Sequence, residues 1–118
     1  MVKEFTGVVV SGKKEGNYYV SRYNGLFKEK LGLSFFPGTL NIKTGDVIFP
    51  EKFISISPVE EFKEVKCYKV VLNEKAEAFV VVPQMKRDEN IIEIVSRNNL
   101  REEIGLNDND NVKVRFVE

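Results

Sequence analysis

The sequence lacks histidine altogether and contains a single cysteine, Cys67. Without histidine, the chain cannot build a Ser-His-Asp or Cys-His catalytic unit, nor a zinc site with histidine ligands. With one cysteine, it can form neither an intrachain disulfide nor a cage of thiolates around a metal. Any catalysis must therefore rely on carboxylates, hydroxyls, amides, cations and backbone dipoles, or on a bound ion with oxygen ligands.

Net charge and long apolar runs are also missing. Eighteen basic residues balance eighteen acidic ones, which disfavours a general nucleic-acid coat or a polybasic membrane binder. No apolar run approaches the roughly 20 residues of a membrane span, and the first residues have no signal-peptide core. Cys67 lies in a predicted strand, which favours a buried structural thiol. We therefore expect a cytoplasmic protein without a membrane partner.

What the chain does contain is a series of short apolar runs separated by turns. Its 118 residues, of which 42% are hydrophobic, suffice for one domain over residues 1–118. Strands or short apolar runs are predicted at residues 5–10, 18–20, 39–43, 47–49, 53–56, 65–72, 76–82, 91–95 and 111–116, and short helices at 22–31 and 100–104. Many short strands with two short helices indicate a mainly β fold, a closed or nearly closed β-barrel.

The first segment that could carry chemistry joins two predicted strands and reads SGKKEGNY, residues 11–18. Its two glycines allow a positive φ and close approach of the backbone, so that amide N–H groups and two lysines could bind an anion. The segment matches neither a Walker loop nor the G-x-G-x-x-G pattern. A plain surface hairpin loop is the alternative interpretation.

The second segment is FPGTLNI, residues 36–42. In a strand, Thr39 and Asn41 point to the same face, while Leu40 and Ile42 point to the other. A hydroxyl and an amide oxygen are hard ligands that suit Mg²⁺, which keeps waters and shares phosphate oxygens. Two exposed polar residues on a half-buried strand are the alternative.

The third segment places a carboxylate, Glu93, inside the apolar strand predicted at 91–95. If Glu93 faces a pocket, it could bind a hydroxyl or imide donor, or accept a proton. If it faces solvent, it is only the polar side of an edge strand. The pattern leaves both interpretations open.

The fourth segment, NNLRE, begins a short helix at residues 98–102. Asn98 is predicted to be its N-cap, and Gly105 to end it. Free N–H groups and side-chain amides at such a helix start favour anions and can hydrogen-bond the edge of a base. A capping turn, with Arg101 paired to a nearby carboxylate, is the alternative.

Taken together and in order, these segments resemble the archaeal CTP-dependent riboflavin kinase family. That family carries S-G-x-G-E-G-x-Y, G-T-L-N, I-I-E-I and L-R-E, which here occupy residues 11–18, 38–41, 91–94 and 100–102. The resemblance implies a small closed cradle-loop (riboflavin-kinase-like) β-barrel. It also implies transfer of the CTP γ-phosphoryl group to the riboflavin 5′-hydroxyl, giving FMN and CDP. We expect a monomer whose ligands are riboflavin or FMN and CTP or CDP.

The resemblance also assigns roles to residues at the matching positions. It implies that Thr39 and Asn41 bind Mg²⁺, and that Glu93 contacts the flavin and is the candidate catalytic residue. Met85 and Lys86 stand where the family contacts the flavin. The nucleotide-binding residues implied are Gly12, Lys13, Lys14, Glu15, Gly16, Asn17, Asn98, Asn99, Leu100 and Arg101.

The chain departs from the family pattern at two places. Lys14 replaces a glycine of the first loop, which narrows the backbone freedom there and adds a cation. Residues 84–88 offer no hydroxyl where the family has a flavin-contacting threonine. The flavin-side contacts are therefore expected to differ from the family pattern.

Two other functions are compatible with the sequence. The first is a dimeric DNA-binding barrel of the swapped-hairpin type, although the balanced charge argues against it. Its basic face would consist of Lys13, Lys14, Arg22, Lys28 and Lys30. The second is a protein that binds flavin or nucleotide without turnover, because the flavin loop is altered.

Overall fold

Seven β-strands form in the computed structural model, which describes residues 3–11, 25, 27–32, 34–36, 39–45, 47–56, 64–83 and 90–117. In chain order they are β1 (Glu4–Val10), β2 (Leu40–Lys43), β3 (Ile54–Ile56), β4 (Val65–Leu72), β5 (Ala76–Pro83), β6 (Ile91–Val95) and β7 (Asn111–Phe116). Two short helices accompany them: α1, with helical residues at 25 and 27–31, and α2 (Leu100–Glu103). The predicted strand at 18–20 lies outside the described residues.

The strands close into a barrel through β4. The sheet order is β3-β4-β5-β6-β2-β1-β7, all neighbours are antiparallel, and β4 also pairs with β7. Two strands pair with the same edge of β4. The first residues of β4 pair with β3, and its last residues pair with β7, where Val70 lies opposite Phe116. Six strands therefore form a closed ring, and β3 extends it. The predicted mainly β, closed barrel with two short helices is confirmed.

Alternation along the strands separates two apolar cores. One face of every barrel strand contributes to an inner core that includes Val9, Ile42 and Ile94. The opposite face of β4, β5 and β6 is covered by Phe27 of α1 and by Phe35, whose rings lie 4.8 Å apart. Odd-numbered residues of β2 and β6 therefore lie on the outer face of the barrel.

Turn residues end the elements where the sequence predicted. Gly32 and Gly105 follow α1 and α2 with φ of 73° and 65°, conformations that glycine adopts without strain.

The apolar run at 47–49 forms no strand. Phe49 instead packs its ring 5.0 Å from that of Tyr68 and 5.9 Å from that of Phe116. No helix in the described ranges is long and apolar enough to cross a membrane.

Candidate functional site

Asn41 of β2 lies between two strands on the outer face of the barrel. It pairs with Glu93 of β6 on one side and with Val10, the last residue of β1, on the other. Residues directly opposite each other in an antiparallel pair point to the same side of the sheet. The carboxamide of Asn41 and the carboxylate of Glu93 are therefore neighbours. The chain leaves β1 at Ser11, where the glycine-containing segment begins.

The side chain of Asn41 has an orphaned oxygen. The residue is only 8% exposed, and its Nδ2 donates a long hydrogen bond, 3.4 Å, to the carbonyl oxygen of Thr39. Because a carbonyl only accepts, it must face the amide nitrogen. Within the described part of the chain, Oδ1 of Asn41 receives no hydrogen bond. Burying an amide oxygen without a donor is unfavourable, so this position fits an oxygen-coordinated divalent ion.

Among the described residues, an ion at this position would not be held by a cluster of charged side chains. No group of three or more His, Cys, Asp or Glu side chains among the described residues could hold a metal ion. Mg²⁺ commonly keeps several waters and shares the oxygens of a phosphate substrate instead of using a cage made by the protein. A hydroxyl and a carboxamide are therefore a sufficient protein contribution if a nucleotide supplies the remaining ligands.

Thr39 directly precedes β2 and lines a cavity at the end of the barrel. The residue is half-buried and lines a cavity of about 220 Å³ together with residues 98–101. The cavity opens where β2 begins and β6 ends, since Leu40 and its partner Ile94 also line it. Asn41 and Glu93 are not among the lining residues. Thr39 is thus the one predicted metal ligand, among the described residues, that reaches the predicted nucleotide-binding segment.

The start of α2 differs from the prediction in its cap. The N-cap is Asn99, not Asn98: Asn99 has extended backbone, and its Oδ1 accepts the N–H of Arg101 at 3.1 Å. Asn98 instead donates its Nδ2 to Glu103 Oε1 at 2.8 Å. Asn99 Nδ2 and Asn98 Oδ1 have no partner among the described residues. One polar atom of each amide therefore stays available to a ligand.

Arg101 pairs with a nearby carboxylate, as the alternative interpretation of this segment expected, but the hydrogen bond that extends this pair to Ser11 was not predicted. Arg101 Nη2 donates to Asp108 Oδ1 at 2.7 Å and to the carbonyl oxygen of Val10 at 3.5 Å. The other oxygen of Asp108 accepts the hydroxyl of Ser11 at 2.6 Å. These hydrogen bonds, from Ser11 and then Arg101, hold the pKa of Asp108 below its usual value. No local pattern reveals this bridge from Arg101 through Asp108 to Ser11, because Ser11 and Asp108 are 97 residues apart.

Two further residues of the cavity were missed. Ser96 is 6% exposed, donates its hydroxyl to the carbonyl oxygen of Glu77 and accepts the N–H of Asn98. Phe36 is 45% exposed although it is aromatic, and its backbone N–H donates to the carbonyl oxygen of Ser96 at 2.8 Å. An aromatic residue directly before the Pro-Gly turn was the available sequence signal for Phe36.

The remaining predicted site residues lie outside the described residues: Gly12, Lys13, Lys14, Glu15, Gly16, Asn17, Met85 and Lys86. Cys67 lies away from the cavity, in the core under α1. It is fully buried, and burial raises the pKa of its thiol to about 12. The prediction that Cys67 is a buried thiol is confirmed.

The structure is thus a small β-barrel with a candidate polar site where β1, β2 and β6 meet. Comparison with known proteins specifies the family: the family model CTP-dep_RFKase, described as domain of unknown function DUF120, matches residues 9–116. The chain therefore belongs to the CTP-dependent riboflavin kinase family, and the resemblance predicted from its motifs is confirmed.

Several individual relatives are named riboflavin kinases. The chain is 37% identical to the riboflavin kinase of Thermococcus kodakarensis, with 95% of this chain and 58% of that protein covered. It is 40% identical to the riboflavin kinase of Thermoplasma acidophilum, and the match covers 92% of this chain and 55% of that protein. It is 32% identical to the riboflavin kinase of Cenarchaeum symbiosum, and the match covers 96% of this chain and 66% of that protein. The chain thus spans little more than half the length of most of the curated relatives it matches.

Proposed function

We propose that this protein transfers the γ-phosphoryl group of CTP to the 5′-hydroxyl of riboflavin, with FMN and CDP as products. The family match and the riboflavin kinases among its relatives support the reaction class, and the family name supports CTP as the donor. The observation that carries the proposal is the buried Oδ1 of Asn41 beside Glu93, an oxygen without a hydrogen-bond partner among the described residues. A proposed cation ligand and a carboxylate would thus share one face of the barrel.

Positioning and charge neutralisation account for most of the catalysis in phosphoryl transfer, because the transition state is loose. Thr39 and Asn41 would hold Mg²⁺ through a hydroxyl and a carboxamide oxygen. The bound ion supplies positive charge that neutralises the phosphate oxygens. Because Thr39 also lines the cavity with residues 98–101, the phosphates of a nucleotide in that cavity would end beside these two ligands.

The nucleotide is proposed to lie between two segments. Residues 12–17 would bind its phosphates through backbone amides, assisted by Lys13 or Lys14. In the cavity, Arg101 has two guanidinium nitrogens, Nε and Nη1, without a partner among the described residues. The free amide atoms of Asn98 and Asn99 would distinguish cytosine from other bases by hydrogen bonding, and Leu100 would contribute apolar contact.

Glu93 is proposed to act on the flavin side. As the cross-strand neighbour of Asn41, its carboxylate lies next to the place where the phosphoryl group would be transferred. It would accept a hydrogen bond from the ribityl chain and so orient the 5′-hydroxyl, or take the proton of that hydroxyl as the new O–P bond forms. Met85 and Lys86 would complete the flavin contacts.

Donor selectivity tests this proposal. Purified protein is incubated with riboflavin, MgCl₂ and CTP, UTP, GTP or ATP in turn, and FMN is quantified by chromatography. We expect CTP to give the highest rate. Equal rates with the four donors would contradict a cytosine-selective site. The Glu51→Gln variant, which should keep the donor preference of the wild type, is the control, because Glu51 is exposed and lines neither the cavity nor the Asn41–Glu93 face.

If the protein forms no FMN, two further experiments distinguish the alternative functions. If no donor yields FMN, the kinase assignment is wrong, and titration calorimetry with FMN and CDP then shows whether the protein is a non-catalytic binder. A gel shift with a salt titration tests the DNA-binding alternative, since phosphate contacts weaken steeply with salt. Of the basic face proposed for that alternative, only Lys28 and Lys30, both exposed on α1, belong to the described residues.

A further inference from the structure

Asp108 binds two side chains at once, one with each carboxylate oxygen. Oδ1 accepts Arg101 Nη2 at 2.7 Å, and Oδ2 accepts the hydroxyl of Ser11 at 2.6 Å. The three residues come from different elements: the exit of β1, helix α2 and the turn before β7. The bridge therefore ties the residue from which the glycine-containing segment departs to a residue that lines the cavity.

Stability does not explain this bridge. The side chains of Arg101 and Asp108 are 38% and 49% exposed, and exposed ion pairs contribute little to the free energy of unfolding. The backbone already joins these elements, because Val9 N–H donates to the Asp110 carbonyl at 2.9 Å and Asn109 N–H to the Val9 carbonyl at 2.7 Å. What the bridge adds is a fixed orientation of two side chains.

The orientation of Arg101 bears on ligand binding. Among the described residues, Asp108 and the Val10 carbonyl bind Nη2 alone, which leaves Nε and Nη1 for a ligand. A free arginine side chain loses rotamer entropy when it binds an anion. Anchoring one nitrogen beforehand removes part of that loss, while the other nitrogens stay available as donors.

We propose that Asp108 is a positioning residue for the donor nucleotide. It holds the guanidinium of Arg101 at the cavity and, through Ser11, ties that guanidinium to the end of β1. This inference rests on the proposed function for the identity of the nucleotide, CTP. Within the described part of the chain, Asp108 forms no hydrogen bond or ion pair with Asn41 or Glu93, so its effect should fall on the nucleotide and not on riboflavin.

Steady-state kinetics of Asp108→Ala test the proposal. We expect the KM for CTP to rise about three- to tenfold, the change that corresponds to ordering one long side chain, with the KM for riboflavin and the melting temperature unchanged. Asp108→Asn should give a smaller rise, because its amide oxygen still accepts from Arg101. Asp110→Ala is the matched control: Asp110 accepts the N–H of Asn107 in the same turn but does not touch the bridge.

A double-mutant cycle separates positioning from a general structural effect. Ser11→Ala should raise the KM for CTP, and Ser11→Ala with Asp108→Ala should be no worse than Asp108→Ala alone, because both remove the same bridge. Additive effects, an equal rise in both KM values, or no change in the KM for CTP would overturn the proposal. If Asp108→Ala does not fold, Asp108→Asn and Ser11→Ala carry the same comparison.

Measuring CDP binding tests the positioning role of Asp108 without depending on the proposed kinase reaction. Calorimetry with CDP should show the same loss of affinity in Asp108→Ala as the kinetics. If the wild-type protein binds CDP but forms no FMN, the kinase proposal is refuted. The positioning role is then tested by comparing the CDP affinity of Asp108→Ala with that of the wild type. A wild-type protein that does not bind CDP overturns both.

Discussion

At the scale of single residues, Asn41 is the position where folding and ligand binding conflict. Its neighbours in β2, Leu40 and Ile42, point into the inner core and stabilise the barrel. Asn41 itself buries an amide oxygen that receives no hydrogen bond within the described ranges. A buried polar atom of this kind lowers stability unless a ligand satisfies it. Its presence is therefore better explained by binding than by packing.

Removing both proposed metal ligands tests this explanation. We expect Thr39→Ala with Asn41→Ala to lower the rate of FMN formation by about 100-fold or more, because the charge that neutralises the phosphates is lost. The free energy of unfolding should change little, since the substitution also removes an unsatisfied buried oxygen. Activity assays and urea unfolding measure the two effects.

Thr39→Ser is the control for that experiment, because it retains the hydroxyl and should retain most of the activity. Normal turnover in the double variant would refute the metal assignment. A collapse of stability in the double variant would show that these side chains serve the fold.

At the scale of elements, the position of the proposed metal ligand Asn41 depends on how closely β1 approaches β2. Val10 of β1 pairs with Asn41, so any shift between these strands moves the proposed metal ligand. The two strands come close at Gly7, where an added Cβ would overlap Cγ2 of Ile42 and lie 2.9 Å from the carbonyl oxygen of Lys43. Only glycine fits there without displacing β2.

Gly7→Ala should therefore destabilise the protein by about 1–3 kcal/mol, as overpacking of a core does. It should also reduce activity, since β2 carries Asn41. The matched control is Gly25→Ala in α1, where an added Cβ meets nothing within 4 Å and alanine favours the helix. Urea unfolding compares them. Equal stability of Gly7→Ala and the wild type would show that β2 moves aside without loss.

At the scale of the whole molecule, the barrel is closed by the pairing of β4 with β7, and charges reinforce that closure. Glu74, in the turn after β4, accepts Arg115 of β7 through both oxygens, at 2.8 and 3.0 Å, and lies 3.3 Å from Lys113 Nζ. The hydrogen bond from Arg115, followed by that from Lys113, lowers the pKa of Glu74 from 4.5 to about 2. The carboxylate is thus favoured in the folded barrel over the unfolded chain.

This pKa sets a direction for the dependence of stability on pH. Because the pKa of Glu74 is lower in the folded state, its contribution is fully present above pH 4.5 and is lost as the pH falls towards 2. Urea unfolding at pH 6, 4 and 2.5 should show a smaller acid loss in Glu74→Gln than in the wild type. Glu51→Gln is the control, since Glu51 is exposed and has no ion pair among the described residues. Parallel curves for Glu74→Gln and the wild type would contradict the prediction.

Local sequence patterns determined much of this molecule. Short apolar runs bounded by turn residues placed β4, β6 and β7 at their observed bounds, and Gly32 and Gly105 end their helices as predicted. These features depend on interactions within a few residues, which a pattern records directly. The absence of histidine likewise excludes catalysis by an imidazole whatever fold the chain adopts.

The tertiary structure alone decided which distant residues meet. That Asn41 lies opposite Glu93 follows from the register of β2 and β6, and the bridge from Asp108 to Ser11 from the packing of a turn against the end of β1. Strand register and packing arise from long-range contacts, and these leave no signal at fixed spacing along one chain.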